Sequence, residues 1–69
     1  MAEIYFKDGN ITVEETYEDV SIEIYEAKMD KYPFIRLTIK DMKFNHELGK
    51  IENIEREIQI NMNQIVFFK

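Results

Sequence analysis

Cysteine and tryptophan are absent from this 69-residue chain, histidine, serine and proline occur once each, and glycine and leucine only twice. Without cysteine there are no disulfides and no thiolate chemistry. His46 as the sole histidine argues against a histidine-built metal centre, and with Glu47 beside it, it reads as an ordinary surface residue rather than a general base. The single Ser21 has no histidine near it in sequence, so a nucleophile reading finds no support. Gly9 and Gly49 do not make a phosphate-cradling loop. No stretch approaches the roughly 20 apolar residues of a membrane-spanning helix. Met1-Ala2-Glu3 has neither the basic start nor the apolar run of a signal peptide, so a cytoplasmic location with no membrane partner is expected.

Positive charge is also scarce. Nine Lys and Arg stand against fourteen Asp and Glu, a formal net charge of −5, and no two cations are adjacent. Phosphate-backbone binding relies on clustered Lys and Arg, which makes nucleic acid an unlikely partner. An acidic surface suits solubility, a basic protein partner or imitation of a nucleic acid. The acidic clusters Glu14-Glu15, Glu18-Asp19 and Glu55–Glu57 lack the Asp-x-Asp/Asn-x-Asp/Asn-Gly spacing of a calcium loop and read as solvated faces. No metal and no cofactor are expected.

Isoleucine is what the chain has in plenty: eleven, against two leucines. Its branched Cβ is stiff at χ1 and favours a pleated, half-buried surface. The excess of Ile, Lys, Asn and Glu also matches the coding bias of an A+T-rich bacterial or viral genome, which accounts for part of the isoleucine. A chain this short buries only about 60% of its unfolded surface. With disulfides and metals set aside, self-association is the expected support.

Along the single domain of residues 1–69, Ala2–Lys7 reads as a first strand, Asp8-Gly9-Asn10 as a hairpin turn, and Ile11–Tyr17 as the returning strand. Val20, Ile22 and Ile24 alternate with Ser21, Glu23 and Tyr25, the period of a one-sided strand. Pro33 marks the entrance to another strand, with Ile35, Leu37 and Ile39 alternating with Arg36, Thr38 and Lys40. These last two segments are expected to form a hairpin. Residues 45–57 admit two readings: a helix capped by Asn45, or a loop over His46–Lys50 followed by a strand carrying Ile54, Ile58 and Ile60. Gly49, costly inside a helix, favours the loop and strand. A polar turn over Asn61–Gln64 then separates two short β-runs, the last being Ile65-Val66-Phe67-Phe68. Four large apolar residues in succession expect burial on both faces.

The run Ile60-Asn61-Met62-Asn63-Gln64-Ile65-Val66-Phe67-Phe68 resembles the second signature of the Sm-like family, small bent five-stranded barrels that assemble into rings. That signature reads approximately Ile-Arg-Gly-Asn/Asp-x-Ile/Val-x-Tyr/Phe-apolar. Ile60, Asn63, Ile65, Phe67 and Phe68 match it, while Asn61 and Met62 replace the family's RNA-touching Arg and Gly. Lys7-Asp8-Gly9 is similar to the start of the family's first hairpin, and Asp19–Glu23 falls near its Asp-x-apolar-Met-Asn, with Glu23 in place of the base-contacting Asn. The family's N-terminal helix has no counterpart before the first strand, and residues 34–53 are an addition to the usual plan. The resemblance touches about a third of the chain. It implies an all-β fold, a small antiparallel barrel or strongly bent sheet of SH3/Sm-like type, and edge-to-edge pairing of the last two strands between subunits.

The expected oligomer interface is therefore Ile58, Ile60, Ile65, Phe67 and Phe68. The expected ligand- or partner-binding residues are Tyr25, Arg36, Lys40, Asn61 and Asn63. No acid, base and nucleophile set is visible, so the chain is not expected to be an enzyme. The leading expectation is a self-associating acidic interaction module that binds a protein partner, as an inhibitor or adaptor of bacterial or viral origin. The alternatives are an oligomeric binder of small, nucleotide-like anions and an Sm-like RNA-binding ring.

Overall fold

The computed structural model describes all residues, Met1–Lys69. Five strands and one helix follow in the order β1 (Ala2–Phe6), β2 (Gly9–Val13), α1 (Tyr17–Met29), β3 (Phe34–Asn45), β4 (Lys50–Asn61) and β5 (Ile65–Phe68), with a 3-10 turn at Met62–Gln64. The strands form two antiparallel sheets, β2-β1-β5 and β3-β4, which do not close into a barrel. The fold is mostly strand with one short helix. That helix is not at 45–57, where the expected loop and strand are found instead.

The expected strand over Val20–Tyr25, and its hairpin with Ile35–Ile39, are corrected by α1. Thr16 accepts from the Asp19 N–H at 3.2 Å while the Asp19 carboxylate accepts from the Thr16 N–H at 3.5 Å, a reciprocal cap of the first turn. Glu18 and Asp19 sit at the positive end of the helix dipole and Lys28 at the negative end. The other end closes with the Tyr32 N–H on Ala27 O at 2.9 Å and the Lys31 N–H on Lys28 O at 3.2 Å. Lys31 takes the left-handed conformation (φ 56°) that glycine usually supplies. Val20 and Ala27 are buried and Ile24 is packed against the core, whereas Ile22, Tyr25 and Met29 point outward. Apolar residues on both sides of the helix produce the alternation that imitates a strand. Ser21, within α1, donates to Tyr17 O at 3.0 Å.

The first hairpin pairs Phe6 with Gly9 and Tyr5 with Asn10, so the turn is Lys7-Asp8 rather than Asp8-Gly9-Asn10. None of these residues has positive φ. β2 ends at Val13, because Thr16 and Tyr17 are taken by the start of α1. β5 lies against the other side of β1, with Ile4 opposite Phe68, Tyr5 opposite Phe67 and Phe6 opposite Ile65. Val66 is the extra residue, a β-bulge. The ladder continues one step further through Glu3 and Lys69, which exchange backbone bonds of 2.8 and 2.9 Å.

β3 and β4 form a ribbon of twelve residues per strand in unbroken register from Phe34–Asn61 to Asn45–Lys50. β4 is thus much longer than the short strand expected before Asn61. Its tight end is built by Asn45, whose Oδ1 accepts from the Glu47 and Leu48 N–H groups at 3.0 and 3.3 Å. Asn45 O accepts from Gly49 at 2.8 Å, and Gly49 occupies the left-handed region (φ 63°), where it has no Cβ to strain. Asn45 does cap a turn, but only one.

The core consists of eight residues: Ala2, Ile4, Val13, Val20, Ala27, Ile35, Leu37 and Ile60. Only the base of the ribbon contributes to it. The distal half extends beyond the body, and the molecule measures 45 × 24 × 18 Å. Its radius of gyration is 14.2 Å, against about 11 Å for a compact chain of this length. No helix is long and apolar enough to cross a membrane.

The sheets meet at Thr38. The Glu14 N–H donates to Thr38 O at 2.8 Å, and the Thr38 N–H donates to both carboxylate oxygens of Glu15, at 2.8 and 3.0 Å. A side chain replaces the backbone carbonyl that would have continued the ladder. Glu15→Ala is expected to destabilise the fold by about 1.5–3 kcal/mol, the range for hydrogen bonds to a charged group, in urea unfolding. A loss below about 0.5 kcal/mol, as at an ordinary surface position, would refute the clasp. Lys31→Gly is expected to raise stability by about 0.5–1 kcal/mol, relief of the left-handed strain outweighing glycine's entropy, and an unchanged midpoint would contradict it.

Candidate interaction surface

Apolar side chains are divided unevenly between core and surface. Thirteen large ones are exposed, more than the eight residues that are buried. Nine of them gather in three places. Ile22, Tyr25 and Met29, spaced by three and four residues, share one side of α1 and are 53–68% exposed. At the ribbon's end, Met42, Phe44 and Ile51 lie on one face, since Phe44 pairs with Ile51 and Met42 is two residues away. Leu48 in the adjoining turn is exposed as well. On the outer face of β1 and β5, Tyr5 and Phe67 stack with ring centroids 4.4 Å apart and planes 6° from parallel. The Lys69 ammonium lies 5.3 Å from the Tyr5 centroid, Glu3 accepts from the Tyr5 hydroxyl, and exposed Val66 adjoins them.

A shallow groove of about 390 Å³ runs between α1 and β5, lined by Ile24, Lys28, Met62, Asn63 and Ile65–Phe68. A second, between the end of α1 and the start of β3, holds Glu23, Glu26 and Asp30 beside Tyr32, Phe34 and Arg36. Both are open to solvent.

The residues expected at an oligomer interface do not form one patch. Ile60 is buried opposite Ile35, and Ile58, Ile65 and Phe68 pack against the same core, with the Phe68 ring tilted 30° to that of Tyr17 at 4.9 Å between centroids. Only Phe67 presents most of its ring to solvent, and the expected two-sided burial of β5 is not found within the chain, because Val66 and Phe67 remain exposed. The expected ligand residues are likewise dispersed. Tyr25 is on the outer side of α1. Arg36 lies 3.8 Å from Glu57, and Lys40 lies 3.3 Å from Glu14. Asn61 is spent locally, its side chain accepting from the Asn63 N–H at 2.9 Å, and Asn63 stands exposed in the 3-10 turn.

The acidic clusters have structural work: Glu14 on Lys40, Glu15 on Thr38 and Asp19 at the helix cap. No three His, Asp or Glu side chains gather as metal ligands. His46 is exposed and meets Phe44 edge to face at 4.9 Å. The helical stripe Ile22-Tyr25-Met29 was missed by sequence reasoning. The signal that would have revealed it is Thr16-x-x-Asp19 as a cap, with Pro33 beyond the end.

Compared with family models, with curated proteins and with solved structures, the chain matches none of them. The Sm-like likeness thus stands on the quoted residues alone. The Tyr5–Phe67 stack is expected to show a coupling of about 0.5–1.5 kcal/mol in a double-mutant cycle of Tyr5→Leu and Phe67→Leu, read by urea unfolding. Additive losses would mean that the two rings are neighbours without mutual attraction.

Proposed function

We propose that this chain is a non-enzymatic, acidic interaction module that self-associates through its edge strands and binds a protein partner, as an adaptor or inhibitor. The observation that carries this reading is the surplus of exposed large apolar side chains over buried ones. Contiguous apolar surface on a small protein marks contact sites, and Tyr, Phe and Met are common anchors there. Two open sheets leave four edge strands, and among them β4 pairs only with β3 and β5 only with β1, each keeping unpaired backbone groups on one side. With a net charge of −5, the complementary partner carries a basic surface.

The alternatives draw less support. For a small-anion binder, Arg36 and Lys40 would have to leave the carboxylates of Glu57 and Glu14. For an RNA-binding ring, the net charge and the residues Asn61 and Met62 remain unfavourable. The cytoplasmic setting is part of the same proposal.

Sedimentation velocity over the micromolar range is expected to give a species larger than the monomer. Captured partners are expected to be retained by wild type and lost from a Tyr25→Ser, Met29→Ser variant whose circular dichroism is unchanged. A monomer at every concentration would remove self-association. Equal capture by wild type and variant would remove the helical stripe as the partner surface.

A further inference from the structure

We infer that a second copy of this chain docks on the free edge of β4, in an antiparallel pairing with its twofold axis beside Ile54. This deepens the self-association reading and rests on it. β4 is twelve residues long, contains neither proline nor glycine, and keeps an uninterrupted register with β3. Its outer row of N–H and C=O groups has no strand partner. The distal part of the ribbon is two strands with nothing packed over them, an arrangement with little stability by itself in water.

The size of the exposed surface points to the same conclusion. A compact monomer of 8.4 kDa would expose about 4,600 Å². This chain exposes 5511 Å², an excess of about 900 Å² over that scaling. One partner's share of a standard protein interface is about 800 Å².

Charge complementarity selects the partner and the register. A twofold axis perpendicular to an antiparallel pair places one residue opposite its own copy and keeps each face of the sheet with itself. With the axis beside Ile54, Ile54 meets Ile54, Glu52 of each copy meets Arg56 of the other, and Asn53 meets Glu55. Both ion pairs are reciprocal. Registers centred on Glu52, Glu55, Arg56 or Glu57 place like charges face to face, and one centred on Asn53 sets Lys50 against Arg56. One centred on Ile51 engages only the ribbon's tip. The Arg56 guanidinium is already on this face, 3.6 Å from Asp41, and most of its side chain is exposed. The product is a four-stranded sheet, β3-β4-β4-β3.

The absence of cysteine permits a direct test. Ile54→Cys carries the only thiol, and directly opposed residues of antiparallel strands have Cα atoms about 4.5–5.5 Å apart, within disulfide range. Mild oxidation is expected to give a covalent dimer as the main product, reversed by reductant. Arg56→Glu and Glu52→Arg are each expected to weaken the dimer about tenfold in sedimentation equilibrium, each creating two like-charge pairs. The combined swap is expected to restore it. Should a charge variant fail to fold by circular dichroism, the Ile54→Cys result decides alone. An oligomeric wild type whose Ile54→Cys form does not cross-link overturns the β4 pairing and leaves association through another surface. A monomeric wild type overturns both.

Discussion

Thr38 is where two separate sheets become one molecule. A single backbone bond and one bidentate carboxylate join β2 to β3 there, and the Met62 N–H on Pro33 O (2.8 Å) ties the 3-10 turn to the β3 entrance. The core depends on this junction, because Ala2, Ile4 and Val13 belong to one sheet and Ile35, Leu37 and Ile60 to the other. Apolar attraction has no direction. The Glu15 carboxylate supplies direction, holding Thr38 of β3 to the segment that leads into α1, whose Val20 and Ala27 complete the core. The carboxylate also stops the ladder, since a side chain cannot template the next residue pair. The two sheets therefore stay separate there instead of joining into one five-stranded surface.

Electrostatics elsewhere adds little to the fold. The three ion pairs, Arg36–Glu57, Lys40–Glu14 and Arg56–Asp41, all include strongly exposed cations, where such pairs contribute about 0–1 kcal/mol. Burial of Ile4, Ile35 and Leu37 counts for more, each fully hidden side chain being worth about 1.5–3 kcal/mol. Only five large side chains, these three with Val13 and Val20, are so hidden, a small core beside the thirteen large apolar residues left exposed.

Much of the strand structure was legible because the chain pattern and the burial pattern coincide. Ile35, Leu37 and Ile39 alternate in the sequence and face the core in the structure; Ala2 and Ile4 do the same in β1. The turn over 46–49 was legible from Gly49, and the break before β5 from its run of Asn. The helix was not. Its two apolar sides, one for the core and one for solvent, sum to a period of two over Val20–Ile24, and no Gly follows it, since Lys31 takes the left-handed position. The candidate surfaces were half legible. Tyr25 and Phe67 stand out as aromatics and are exposed. Ile58, Ile60 and Phe68 look identical in kind but are directed to the core by strand register. Composition announces apolar excess, whereas register decides which residues remain in excess.

The bulge at Val66 bears on how far assembly can go. Growth by strand addition continues without limit only when a particle offers two compatible edges, because each added copy then exposes a fresh one. β5 is four residues long and is kinked by the bulge before its third, so it presents a short, irregular row of backbone groups. β4 presents a long and regular one. At β5, strand addition therefore has little to template it, whereas the outer edges of β3 and β4 stay long and regular. One unpaired valine thus makes β5 the least suited of the sheet edges to filament growth, the hazard of an isoleucine-rich protein with open sheets.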